Sequence, residues 1–176
     1  MSCSTKVVAD IVNSCTARPV KGLKPKAWIF NNGDFTITKA LNVVTAIVKI
    51  GSVTAFTAEG FKDFMNAGYD AVVAENLPTA YKHKYTINAF AATAVEKANI
   101  DKADNIFVVV QSNDGTFIAY GINNGLWKVS QAKMANDNNA QTMIEFDSRE
   151  GMEEEYSEYV FTPATDALVY LTALES

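Results

Sequence analysis

Histidine occurs once, at position 83, and cysteine twice, at 3 and 15. His83 stands between Lys82 and Lys84 with no acid or nucleophile at a recognisable motif spacing, so a structural or surface role is expected of it instead of a triad. A bridge between Cys3 and Cys15 would close only a small N-terminal loop, and two reduced thiols in a cytosolic product are the expectation. The chain contains no GxSxG, GxxxxGK[ST], GxGxxG or HExxH, which leaves no enzyme signature and no cofactor to expect. Long apolar runs are missing too. Val43–Ile50 and Ile106–Val110 fall far short of the roughly 18–20 residues that cross a bilayer, so no membrane partner is expected. Lys6, Asp10 and Asn13 interrupt the first fifteen residues, so these lack the apolar core of a secretion signal.

Positive charge is also in short supply. A net charge of -5 argues against a duplex-binding protein, which neutralises phosphates with clustered Lys and Arg. The charge is unevenly placed: Lys21–Lys26 is basic, whereas Glu145–Glu158 holds seven acids against Arg149 alone. Those acids lack the order and the glycine of a calcium loop, and they lie in a row instead of facing one another across a cleft. A solvated turn is expected, with no metal. In a conduit for DNA, Glu150, Glu153, Glu154 and Glu155 would face the channel, where acidic side chains repel phosphate instead of gripping it.

The 176 residues fit one domain with extended arms. Residues 1–26 close on Pro19, Gly22 and Pro25 and are expected to form an N-terminal arm, with residues 27–176 as the folded domain. Ala27–Asn31 reads as a strand that turns at Asn32-Gly33-Asp34 into a hairpin with Phe35–Thr38. Leu41–Ile50 is rich in β-branched residues and reads as a strand, with a hairpin over Gly51-Ser52 into Val53–Thr57. Glu59–Pro78, with Gly60 and Gly68, reads as a surface linker, part of a projecting loop at about 51–78. Phe61, Phe64 and Met65 on that loop are expected to be assembly contacts, because apolar side chains on a projecting loop call for a partner.

Tyr81–Phe90 alternates Tyr81, His83 and Tyr85 with Lys82, Lys84 and Thr86, the pattern of a strand with one wet face. Ala91–Ala103 is a helix whose Ala94, Val95, Ala98 and Ile100 make a narrow apolar stripe. Ile106–Gln111, an Asn113-Asp114-Gly115 turn, Phe117–Ile122, an Asn123-Asn124-Gly125 turn and Leu126–Ser130 predict a three-stranded antiparallel meander. Gln141–Asp147, Tyr156–Thr162 and Ala167–Leu174 read as further strands. The fold class is therefore mainly β with one flanking α-helix, an antiparallel β-sandwich or half-barrel. The aromatics, which fall mostly in strands, are expected to fill its core.

The order of these elements resembles a known group. TAFTAEGFK at 54–62, YKHKYTI at 81–87, the helix, NIFVVVQSNDGTFIAYGINNGLWKVS at 105–130, and a strand before the acid-rich turn at 150–155 are similar to the tail-tube-like virion proteins of tailed bacteriophages that infect Bacteroides-type bacteria, crass-like phages included. The resemblance covers about two-thirds of the chain. It implies a β-sandwich or half-barrel of the tail-tube type that assembles with itself into rings, commonly sixfold, around a channel for DNA. It further implies contacts with other tail or neck proteins, transient non-specific passage of DNA, and residence in the virion. Capsid decoration and head-tail connection are near alternatives within the particle. A non-viral carbohydrate- or peptide-binding module is the alternative of a different class.

Overall fold

The computed structural model describes residues 22–59, 65–75, 77–89, 94–133 and 142–175. Cys3, Cys15, Phe61, Phe64 and most of the expected N-terminal arm lie outside them. Among the described residues the chain is mainly β, in two sheets, and no helix is long and apolar enough to cross a membrane. The first sheet has seven strands: β1 (Leu23–Asn31), β2 (Phe35–Ala40), β3 (Val43–Lys49), β4 (Phe56–Glu59), β7 (Ile106–Ser112), β8 (Phe117–Tyr120) and β11 (Tyr159–Phe161). Their spatial order is β2-β3-β11-β8-β7-β1-β4. The second sheet holds β5 (Met65–Val72), β6 (Ala80–Ala89), β9 (Trp127–Lys133) and β10 (Thr142–Asp147), in the order β5-β6-β10-β9. Two helices complete the described elements, α1 (Ala94–Lys102) and α2 (Ala167–Ala173).

The apolar run at Ile106–Val110 explains the layering. All five residues are buried, because successive side chains on a strand point to opposite faces and β7 has a core on each side. Phe107 and Val109 join Trp28, Phe30, Phe35, Ile47 and Leu171 in a first core, which α2 covers. Ile106, Val108 and Val110 join Tyr85, Ile87, Ile144 and Phe146 in a second core between the two sheets. The molecule is thus a sheet-on-sheet sandwich with α2 on its far face.

The larger sheet is curled. Five inter-strand spacings of about 4.8 Å separate β1 from β2 in sheet order, about 24 Å in a flat sheet, whereas four residue steps from Asn31 to Phe35 span at most about 14 Å. Phe30 and Phe107 stack with centroids 4.7 Å apart, and Phe35 meets Phe30 edge-on at 5.0 Å. These three rings fill the inside of the curl.

Several expectations are corrected. β1 starts at Leu23, so the basic stretch expected in the arm is partly strand, and its register with β7 slips between Leu23 and Ala27. β1 turns at Asn32–Asp34 as expected but does not pair with β2. It pairs with β7 and β4, while β2 pairs with β3 around Leu41, whose φ is 54°. The Val53–Thr57 segment forms no hairpin with β3. The expected projecting loop contains an eight-residue strand, β5, paired with β6 along its whole length, since Met65 and Ala67 alternate with polar residues and reach the second core. The meander keeps its first hairpin, β7–β8, but β9 leaves for the other sheet and pairs with β10. Ala167–Leu174 is a helix instead of a strand. Asp166 caps it by accepting from the N–H groups of Leu168 and Val169, and Leu171 and Leu174 bury one side. Of the stripe expected on α1, Ala94, Val95 and Ala98 are exposed. Polar contacts tie the end of the helix to β9, Gln131 donating to Asp101 Oδ1 at 2.7 Å and Lys128 Nζ to the Asp101 carbonyl at 2.7 Å.

One core residue breaks the pairing rule. The Tyr85 hydroxyl is buried in the second core without a hydrogen-bond partner, and such a group costs about 1–3 kcal/mol of desolvation. Tyr85→Phe is therefore expected to stabilise the protein by about 1 kcal/mol, read as a higher urea midpoint. A midpoint below wild type would mean that the hydroxyl has a partner.

Candidate functional site

The acid-rich turn between β10 and β11 is not a solvated loop along its whole length. Its backbone is stitched to β6: Ser148 N donates to the His83 carbonyl at 2.9 Å, and Tyr81 and Glu154 exchange N–H···O bonds of 2.8 Å each way. The second stitch turns the Glu154 side chain inward, where its exposure is zero. This corrects the expectation for Glu154, which faces the interior of its own chain. Glu150 and Glu155 are exposed and Glu153 is half-buried, with Glu153 Oε1 accepting from Gly151 N at 3.1 Å. Met65 is likewise corrected from assembly contact to core residue.

A buried carboxylate needs donors, and the β8–β9 turn supplies them. Glu154 Oε1 accepts from the backbone N–H groups of Asn123 at 3.0 Å and Asn124 at 3.1 Å. Its Oε2 accepts from Asn123 Nδ2 at 2.6 Å and from the Tyr159 hydroxyl at 2.8 Å. Asn123 Nδ2 also donates to the Tyr159 oxygen at 2.7 Å. On the other side of that carboxamide, Lys39 Nζ donates to Asn123 Oδ1 at 2.6 Å and lies over the Tyr159 ring, 5.1 Å from its centroid. Burial, with the Glu154 charge behind it, raises the Tyr159 phenol far above its ordinary range, so it stays a proton donor.

His83 lies beside this cluster, fully buried between the rings of Tyr120 and Tyr159 at 5.2 and 5.8 Å. Gly121 N donates to its Nδ1 at 3.0 Å, so the ring proton sits on Nε2, which donates to the Tyr156 carbonyl at 2.8 Å. Both nitrogens are committed to backbone, leaving none to move a substrate proton. Tyr120 OH donates to Glu158 at 3.1 Å and ties the far end of the turn to β8. His83 is thus the structural histidine expected, though in the core and not on the surface.

Burial holds the His83 imidazole below its ordinary value of 6.5, against the opposing pull of the Tyr156 carbonyl, Glu154 and Glu158. Below 6.5 the unfolded chain takes up a proton that the folded chain refuses. The stability contributed is therefore complete above that value and falls with pH, by up to about 1.4 kcal/mol per unit, until the folded imidazole titrates. In urea titrations between about pH 7 and pH 5, His83→Gln is expected to lose less stability than wild type, and parallel losses would sink this assignment.

Among the described residues no group of three or more His, Cys, Asp and Glu side chains could hold a metal. Sequence reasoning missed Lys39, Asn123 and Tyr159 altogether. Asn123 was visible only as a turn residue, and nothing local marks its meeting with residues from β2 and β11.

The second feature of the surface is its open edges. Among the described residues β2 and β4 end the seven-stranded sheet, and β5 and β9 end the four-stranded one. Apolar side chains stand out at or beside them: Phe56 on β4 is 51% exposed, Val129 on β9 57%, and Val73 and Leu77 after β5 76% and 68%. The outward face of the four-stranded sheet also carries charged and polar pairs beside the exposed Met143 and Val72, with Lys84 paired to Asp70, Lys82 to Asp147 at 3.0 Å and Ser130 to Glu145 at 2.6 Å. No protein-family model, curated protein or solved structure matches the chain.

Proposed function

We propose that this chain is a structural subunit of a bacteriophage virion that associates with copies of itself into a ring or tube of the tail-tube type, a passage for DNA. The observation that carries the reading is that, among the described residues, β5 and β9 end the four-stranded sheet with apolar side chains exposed at or beside them, the β9 edge being covered only where Asp104 accepts from Lys128 N at 2.9 Å. An unpaired edge is a template for another strand, and soluble monomers normally blunt it with charge, proline or a covering loop. Edges on opposite sides of one sheet suit head-to-tail contacts, which close into rings when the rotation permits. A wet, charged sheet face and a net charge of -5 are compatible with a channel over which phosphate slides. The turn beside it is pinned at Glu154, as befits a subunit that keeps its shape in an assembly.

Negative-stain microscopy and light scattering of the purified protein test this. Rings or short tubes are the expected result, and Val129→Lys should release folded monomers by placing a charge on the β9 edge. A protein that stays monomeric at high concentration would sink the proposal. Labelling of intact particles then distinguishes a tail or neck ring from a capsid decoration or head-tail connector.

A further inference from the structure

We propose that Lys39 and Asn123 join covalently, the Lys39 amine displacing ammonia from the Asn123 carboxamide to form an isopeptide bond, with Glu154 and Tyr159 handling the leaving nitrogen. This inference is independent of whether the chain assembles. It rests on the arrangement of four side chains drawn from separate parts of the fold: Lys39 on β2, Asn123 in the β8–β9 turn, Glu154 in the acid-rich turn and Tyr159 on β11.

The carboxamide is oriented for the reaction. Nδ2 faces two acceptors, the Glu154 carboxylate at 2.6 Å and the Tyr159 oxygen at 2.7 Å, and Oδ1 faces the Lys39 ammonium at 2.6 Å. The flipped amide would set oxygen against carboxylate and N–H against ammonium, so the assignment follows from the partners. A 2.6 Å contact to Oδ1 leaves Nζ no farther than about 3.8 Å from Cγ, given a C=O bond of about 1.2 Å. That approaches the near-attack separation of about 3–3.5 Å at which intramolecular reactions gain most from pre-paid ordering.

The chemistry balances without an outside reagent. Lys39 loses a proton to solvent, to which both partners are partly open, and the Nζ lone pair adds to Cγ while the carbonyl electrons move onto Oδ1. The proton then on Nζ leaves to solvent on the Lys39 side of the carboxamide, and Nδ2 takes one up on the other side, where the Glu154 carboxylate and the Tyr159 hydroxyl touch it. The Cγ–Nδ2 bond breaks, the carbonyl re-forms and ammonia departs, taking up the proton first released. One ammonium and one carboxamide become one secondary amide and one ammonium ion. Glu154 and Tyr159 are the catalytic residues, since both touch Nδ2. Lys39 and Asn123 are the substrates.

The product would tie an edge strand of the seven-stranded sheet to the turn through which the chain passes to the second sheet. It would hold β2 covalently to the end of β8, across β3 and β11 in the sheet order.

The test is intact mass and peptide mapping of the full chain, fresh and after incubation at mildly alkaline pH. A mass lower by one ammonia, together with a branched peptide joining the segments that carry Lys39 and Asn123, is the expected result. Succinimides at Asn32-Gly33 or Asn124-Gly125 also lose ammonia, but hydroxylamine cleaves them and leaves an isopeptide intact. Lys39→Arg keeps a cation over Tyr159 and lacks the primary amine, so it should keep the full mass and give no branched peptide. The proposal is overturned by an unchanged wild-type mass after incubation, by hydroxylamine-resistant ammonia loss that persists in Lys39→Arg, or by a wild-type product that hydroxylamine cleaves entirely.

Discussion

Glu154→Ala is expected to cost about 3–5 kcal/mol, the range found when one member of a buried charged network is removed. The substitution strips acceptors from the N–H groups of Asn123 and Asn124, from Asn123 Nδ2 and from the Tyr159 hydroxyl, and each donor left unpaired and dry carries its own desolvation penalty. Glu154→Gln keeps an oxygen for one pair of donors and turns an NH2 group toward the other, so a smaller loss of about 1–3 kcal/mol is expected. Urea unfolding followed by the fluorescence of buried Trp28 measures both. A loss below about 1 kcal/mol for the alanine variant would show that water replaces the carboxylate, and the turn would then be far wetter than its zero exposure implies.

Phe107→Ala should be equally damaging, about 3–5 kcal/mol, and for a different reason. Phe107 has no exposure, stacks on Phe30 within 4° of parallel and meets Phe35 edge-on at 6.2 Å. Removing the ring leaves a void inside the curl where rigid aromatic neighbours cannot collapse, and it removes an aromatic pairing worth about 0.5–1.5 kcal/mol beyond burial. The damage should be local in character, with amides of β2 and β3 losing hydrogen-exchange protection before those of β6 and β10. Uniform loss across both sheets would mean that the curl and the second core unfold as one unit.

What the sequence conveyed and what it withheld divide along physical lines. Short-range chemistry was legible. The β7–β8 hairpin follows from an apolar run and an Asp-Gly turn, in which Gly115 takes a φ of 97° and Asp114 accepts from Thr116 N at 2.9 Å. The alternation in β6 correctly placed Tyr85 inside and Lys82 and Lys84 outside. Partner choice was not legible, because pairing energy comes from residues far away along the chain. Nothing near Trp127 says that β9 joins β10 instead of β8, and nothing near Asn31 says that its strand turns away from the next. In α2, Val169, Tyr170 and Thr172 favour strand locally, yet Asp166 and the spacing of Ala167, Tyr170, Leu171 and Leu174 describe a capped helix with one apolar side. That information was present and was outweighed by propensity. Glu154 was hidden more deeply, since one acid in a row of acids carries no mark of burial.

β11 has a consequence for how the chain reaches this state. Three residues long, it is wedged between β3 and β8, parallel to the first and antiparallel to the second. The β2–β3 hairpin, made early, therefore cannot join the centre of its sheet until residues 159–161, more than a hundred positions later, have left the ribosome. Contacts between such distant segments make folding slow, and meanwhile the nascent chain carries two half-sheets with bare flanks. Other copies compete for those flanks, so yield on expression should fall as the rate of synthesis rises, and slowing translation or cooling the culture should restore it.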